Sequence, residues 1–313
     1  RSQNYSAFIL EQLGKSGIEC FVQPGSHETF VGYGLVAEHF AEKYDNLFDV
    51  HNIARVDEKD HSLVFIPGSD FVCGGVYQIG SDENLPSGMY FKDDEKLRGI
   101  ESEKLIDSLN FLNQQRKIGT ALQYINMQGI KGQISDPEKT IIICHVPRKF
   151  EGLEHAIDVA EFGLVDKMFY ADIITYSDGE QQIRVYYENG QTGSIIKPKK
   201  VENYVRNQHF EVGSVFPIQT ARIFANAKAP VTIRKENRGN EDLKNLYEEI
   251  GIRKAVSGHF HESSHRACDR SGKHVQEGKY TNELFWNSGW LDRGHFGILT
   301  IDDNKVKYHN LKL

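Results

Sequence analysis

The sequence predicts an α/β fold with a β-rich insertion. Three observations carry this reading. Short apolar runs rich in β-branched residues alternate with amphipathic stretches of helical spacing. Three of those runs end in a sharp turn that bears a histidine. Between residues 165 and 200 the pattern changes to closely spaced strands separated by hairpin signals.

The elements follow in order. Phe8, Ile9, Leu10 and Leu13 predict a helix over 6–13, stopped by Gly14 and Gly17. A buried strand over 18–22 ends at Pro24-Gly25. Val36, Ala37, Phe40, Ala41 and Tyr44 share one helical face. Strands are predicted over 52–56 and 63–66, the second ending at Pro67-Gly68. The charged, Pro- and Gly-containing stretch 80–98 reads as a loop, and 104–122 as a long helix. Residues 140–145 are a strand of β-branched residues. Asp178-Gly179 and Asn189-Gly190 divide the strands of the hairpin region. Helices over 217–227 and 240–250 flank a short strand over 231–234. The second has an N-cap near Asn240 and acidic residues in its first turn. A strand over 253–256 leads into Gly258-His259-Phe260-His261. The tail reads as consecutive antiparallel strands over 284–287, 296–301 and 306–311. Pro24-Gly25-Ser26-His27 is echoed by Pro67-Gly68-Ser69-Asp70, as expected of two strands that end in similar turns.

The 313 residues are read as a single domain over 1–313 with a β-rich insertion over 165–212. No apolar run is long enough to span a membrane. The four cysteines form no CxxC pair, which predicts reduced thiols and a cytoplasmic protein. A net charge of -7 argues against a general nucleic-acid coat and slightly favours small substrates. Lys197-Pro198-Lys199-Lys200 reads as a solvated face rather than a nucleic-acid contact. His265, Cys268 and His274 have the residue types of a zinc site, but their irregular spacing favours a loop over 262–278 that rims the cleft.

The three histidine-bearing turns are Pro24-Gly25-Ser26-His27-Glu28, Cys144-His145-Val146-Pro147 and Ser257-Gly258-His259-Phe260-His261. In α/β sheets, ligands gather beyond the carboxyl ends of strands. Three such turns on one sheet would converge on one crevice. Neutral imidazole is a good ligand for Zn, Mn, Fe or Ni, and two such ions can activate water for phosphoryl displacement. Taken singly, His27 and His145 read more simply as turn residues; their order and strand context give them weight.

That order resembles the calcineurin-like metallophosphoesterases. Gly25-Ser26-His27-Glu28 is similar to the family's Gly-Asn-His-Asp/Glu motif, His145 to its strand-end histidine, and Gly258-His259-Phe260-His261 to its Gly-His-x-His. Trp286-Asn287-Ser288-Gly289 resembles the Asn-x-Gly strand end that follows. The resemblance implies a four-layer α/β/β/α sandwich of two mixed sheets. It implies two divalent transition metals (Mn, Fe, Zn or Ni, with Mn favoured) and a phosphate ester substrate, either a small molecule or a nucleic acid. His145 and His259 would bind one metal and His261 the other, with Ser26 a short substitute for the family's asparagine ligand. His27 would contact the scissile phosphate and protonate the leaving oxygen. Arg148 and Asn287 are expected as phosphate contact and polar support.

Two family motifs are absent. The chain has no Gly-Asp dipeptide, and Asp49-Val50-His51, its only Asp-x-His, lies after the third motif and reads as a loop-to-strand junction. The resemblance implies a first β-α-β segment upstream of Arg1. The alternative is a non-catalytic scaffold of the same fold with a degenerate metal site; residues upstream of Arg1 would discriminate the two.

Overall fold

The computed structural model describes residues 2–70, 75–102, 104–175, 181–187, 192–196 and 208–313. The protein is mixed α/β with several sheets, and the chain divides into two compact units, Arg1–Asp158 with Asn237–Leu313, and Val159–Glu236. The first unit opens with α1 (Ser2–Lys15), β1 (Cys20–Val22), α2 (Leu35–Lys43), β2 (Leu47–Asp49), β3 (Ala54–Asp57), β4 (Ser62–Ile66), β5 (Tyr77–Gly80), β6 (Gly88–Asp93), β7 (Lys96–Ile100), α3 (Leu105–Gln114), β8 (Ala121–Asn126) and β9 (Thr140–Cys144). The second holds β10 (Val159–Val165), β11 (Phe169–Thr175), β12 (Gln181–Tyr187), β13 (Thr192–Ile196), β14 (Gln208–Phe210), β15 (Val215–Pro217), α4 (Ile218–Asn226) and nearly all of β16 (Val231–Asn237). The first unit resumes with α5 (Glu241–Ile250), β17 (Lys254–Ser257), β18 (Ala267–Cys268), β19 (Leu284–Asn287), β20 (His295–Asp302) and β21 (Lys305–Lys312).

A six-stranded sheet of order β18-β19-β17-β9-β4-β3 frames the first unit. Its four inner strands β4, β9, β17 and β19 are parallel; the two edges run antiparallel to them. All four inner strands therefore end on one side of the unit, the arrangement that gathers turns into a crevice. The face of β19 that carries Leu284 and Trp286 packs with Ile141, Val306 and Tyr308, so the β20–β21 hairpin covers that side. Phe285 points the other way and meets Phe150 and Tyr247 of α5 at ring-centroid distances of 5.6 and 6.5 Å. This is the two-residue period of a strand buried on both faces. Each such side chain stabilises the fold by about 1.5–3 kcal/mol. Asn240 caps α5 as its sequence predicts, its side chain accepting a hydrogen bond from the Leu243 N–H at 2.7 Å.

The echoed turns are neighbours. The Gly68 N–H donates to the Pro24 carbonyl at 2.8 Å, which brings the turn after β1 beside the turn after β4. A separate core of Leu10, Val36, Ala37, Phe40 and Leu47 joins α1, α2 and β2. In the second unit, Phe169, Phe210, Phe216 and Phe224 form an aromatic core beneath α4. This unit contains the 165–212 stretch and extends beyond it on both sides. The Asp178-Gly179 and Asn189-Gly190 turns and the Lys197–Lys200 run lie outside the described residues.

Three expectations are corrected. Residues 80–98 are not a loop: they contain β6 and most of β7, which join β5 and β8 in a four-stranded sheet of order β5-β8-β6-β7. Only Tyr90 and Phe91 are buried there, and β7 is an exposed edge, so its charged residues hide a strand held by the backbone ladder. The long helix over 104–122 stops at Gln114, where Arg116 adopts φ +56° and ends helical geometry; β8 follows from Ala121. In the tail, β19 is not paired with the hairpin but runs parallel to β17 inside the main sheet. Among the described residues no helix is long and apolar enough to cross a membrane.

Candidate metal centre

His145 follows directly on β9, and Gly258-His259 follows on β17. The Gly258 N–H donates to the His145 carbonyl at 3.1 Å, extending the parallel pairing by one link and bringing the two turns into contact. The turn after β1 closes over the His145 ring. A Cβ on Gly25 would stand 2.8 Å from His145 Nδ1, so only glycine permits this approach. Glu28 folds that turn, its Oε2 accepting from the Gly25 N–H at 2.7 Å and the His27 N–H at 3.3 Å.

Two polar atoms meet His145 Nε2. His259 Nδ1 lies 3.1 Å away and Ser26 Oγ 3.2 Å away. Ser26 is buried, with 5% of its surface exposed. His259 holds this position in the left-handed region at φ +65°. That geometry costs a non-glycine residue about 1–3 kcal/mol and persists only where the surroundings enforce it. Asn287 is the enforcing group. It is 1% exposed, and its Nδ2 donates to the carbonyls of Gly258 at 3.1 Å and Phe260 at 2.9 Å. Its Oδ1 accepts from the Gly289 N–H at 3.2 Å. Asn287 thus braces the Gly258–Phe260 turn.

Burial, with the charges His27 and His261 would carry, lowers the His145 pKa from 6.5 to about 4. Burial and the neighbouring His145, His261 and His27 lower that of His259 to about 3. Both rings are neutral near pH 7, so each offers an unprotonated nitrogen. His259 Nδ1 and His145 Nε2 share a hydrogen bond at 3.1 Å, in which one ring donates; once that proton leaves, the spacing fits adjacent positions on one ion, for which Zn–N bonds of about 2.0–2.1 Å are ordinary. The donor set suits a borderline transition metal.

The four expected histidines do not all converge. His261 is exposed, and its ring stacks on Trp290 at 3.8 Å, with the planes 10° apart. His27 is also exposed and acts on the other three through charge. Among the described residues no three His, Cys, Asp or Glu side chains are arranged to hold one ion. Arg148 is not free for phosphate. It is 3% exposed, its Nη2 pairs with Glu248 at 2.9 Å, and its guanidinium lies over the Phe150 and Phe285 rings. A buried cation held this way anchors α5 to the main sheet, a packing role that the strand-end context did not reveal.

Trp290 and the Asn287 clamp were not both legible: Asn287 carries a motif signal, whereas Trp290 has none beyond its place after it. Cys268 is fully buried in β18, and burial pushes its thiol up to about 12. His265 turns to the Phe296 carbonyl at 3.1 Å, and His274 packs on His155. These three residues do not form a zinc site.

The lowered pKa values set a pH dependence. Between about 4 and 6.5 an unfolded chain takes up protons that native His145 resists, and for His259 the window reaches down to about 3. Stability is therefore full above 6.5 and falls as pH drops through that window. The urea midpoint is expected to decline with acid more steeply in the wild type than in a His145→Gln, His259→Gln double variant. Equal acid slopes would remove the cluster as a cause.

No protein-family model, curated protein or solved structure matches this chain.

Proposed function

We propose that the chain is a metal-dependent phosphoester hydrolase whose centre is built on His145 and His259. The observation that supports this most is the 3.1 Å approach of two neutral imidazole nitrogens at the ends of adjacent parallel strands. On this reading the chain is a calcineurin-like metallophosphoesterase. The six-stranded and four-stranded sheets of the first unit are the two sheets of its α/β/β/α sandwich, and the second unit is the insertion.

His145 and His259 would hold one divalent ion, with Mn favoured among Mn, Fe, Zn and Ni, and His261 would serve the second. A bound ion supplies Lewis acidity and a water of lowered pKa. The chain's own residues do the remainder. Ser26 stands beside His145 Nε2, where its hydroxyl can orient a phosphoryl oxygen or a water. His27 is exposed on the turn that closes over His145, a place that suits a proton donor to the leaving oxygen. Asn287 and Glu28 hold the two turns rigid, which limits reorganisation during reaction. The substrate is a phosphomonoester or phosphodiester.

One observation favours the second reading, a non-catalytic scaffold of this fold: His261 is stacked on Trp290 rather than gathered with His145 and His259. The two separate in one assay. The protein purified, stripped with chelator and reloaded with Mn²⁺ is expected to hydrolyse p-nitrophenyl phosphate or bis-p-nitrophenyl phosphate, with activity lost on stripping and regained on reloading. No metal-dependent turnover of either ester would leave the scaffold.

A further inference from the structure

A second site lies elsewhere in the first unit. A cavity of ≈ 200 Å³ opens between α2, the end of β2, β5, β6 and α3. A dry cavity of about 150 Å³ accepts benzene, so this one has room for a single ring with a short arm. Its lining is mixed: Phe30, Tyr77 and Met89 form an apolar side, where the Phe30 and Tyr77 rings meet edge to face at 5.3 Å, and Glu38, Asp49, Asn52 and Gln123 a polar one.

The charge lining the cavity is one-sided. Glu38 and Asp49 both contribute carboxylates, and no lysine or arginine is among the described residues that line it. Among the described residues lining it, the basic group is His51, exposed and with its Nδ1 3.3 Å from Asp49 Oδ2; the hydrogen bond to Asp49 raises the His51 pKa, so His51 partly offsets that carboxylate. Neither carboxylate has a short partner. Asp49 Oδ1 receives the Tyr33 hydroxyl at 3.4 Å, and Glu38 Oε1 the Leu105 N–H at 3.4 Å. Carboxylates facing a cation make bonds of about 2.7–2.9 Å.

Tyr77 gives an independent sign. It is 2% exposed, its hydroxyl stands over Gly34, where a Cβ would meet it at 2.5 Å, and it has no hydrogen-bond partner among the described residues. A hydroxyl at a cavity wall with no protein partner is open to a hydrogen bond from a ligand or a water. Burial, then Asp49, Glu28 and Glu38, also holds the phenol well above its usual range, so the negative field reaches this wall.

We propose that this cavity binds a small organic ammonium ion with an apolar or aromatic body. The ammonium sits between Asp49 and Glu38, the body lies against Phe30 and Met89, and the ring faces add a cation–π contribution. An anion would meet two carboxylates and is excluded. The proposal is independent of the phosphoesterase reading, since none of the groups that would touch the ammonium ligand belongs to that centre. Asp49-Val50-His51 thus gains a role at this cavity.

The test uses three near-isosteric probes on the full chain: phenethylammonium, phenethyl alcohol and hydrocinnamate, followed by ligand-observed NMR and calorimetry. Phenethylammonium is expected to bind with Kd near or below about 1 mM and at least about tenfold more tightly than the alcohol, with no binding of the carboxylate. Asp49→Asn is expected to weaken it at least about tenfold. Met89→Trp, which fills the cavity, is expected to abolish binding. Should Asp49→Asn fail to fold, Glu38→Gln replaces it with the same expectation. Equal affinity for ammonium and alcohol, unchanged affinity in the folded charge variant, or retained binding in Met89→Trp would each overturn the proposal.

Discussion

Replacing His259 with alanine is expected to lower metal-dependent phosphoester hydrolysis by at least about 100-fold, or about 2.7 kcal/mol in transition-state stabilisation. Groups that only orient a metal ligand are worth about 10–100-fold, and His259 is here the ligand itself. The loss should appear in kcat/KM and be accompanied by loss of bound metal. Stability should move the other way. His259 sits at φ +65°, a conformation natural to glycine, so His259→Gly is expected to be at least as stable as wild type while inactive. A residue retained for structure would not show that pairing of effects. Wild-type turnover in either variant would remove His259 from the centre.

The largest stability effect is expected at Trp286. It is 1% exposed, packs on Tyr308 at 5.3 Å, and donates from Nε1 to Asn310 Oδ1 at 3.0 Å. It therefore carries both the apolar contact and a hydrogen bond between the main sheet and the β20–β21 hairpin. Trp286→Ala is expected to cost about 3–5 kcal/mol, read as a shift in denaturant midpoint. A partner test follows from Gly297, where a Cβ would lie 2.1 Å from the indole ring. Gly297→Ala is expected to be strongly destabilising in the wild type and much less so once Trp286 is alanine, the residual cost coming from the His309 carbonyl 3.0 Å from the new Cβ. The resulting coupling should be about 1–3 kcal/mol. Additive effects would show that the indole does not fill that space.

These contrasts explain what the sequence could disclose. The inner strands were legible because parallel strands buried on both faces are continuous apolar runs, such as Ile141-Ile142-Ile143. The α5 cap was legible because Asn240 acts on its own neighbours. The strand β7 was not, because an exposed edge is held by backbone pairing and tolerates charged side chains. The end of α3 was missed although the polar run Asn113-Gln114-Gln115-Arg116-Lys117 and Gly119 interrupt the apolar pattern there; the stop itself is a left-handed Arg116.

The candidate site divides along the same line. His145, His259 and Asn287 could be read because strand ends in an α/β sheet have a defined destination. Arg148 could not: its pairing with Glu248 and its contact with the Phe285 ring depend on residues about 100 and 137 positions away in the chain. The stacking of His261 on Trp290 is a rotamer choice that spacing does not encode. The cavity beside Asp49 was hidden for a related reason, since its walls come from segments that meet only in the folded unit.

The central claim is that His145 and His259 share a metal ion. Crystals equilibrated with Mn²⁺ and measured for anomalous scattering test it directly. A peak is expected within bonding distance of both His145 Nε2 and His259 Nδ1, absent in His259→Ala. A map with no peak there at saturating Mn²⁺, while the two nitrogens remain in mutual contact, would contradict it.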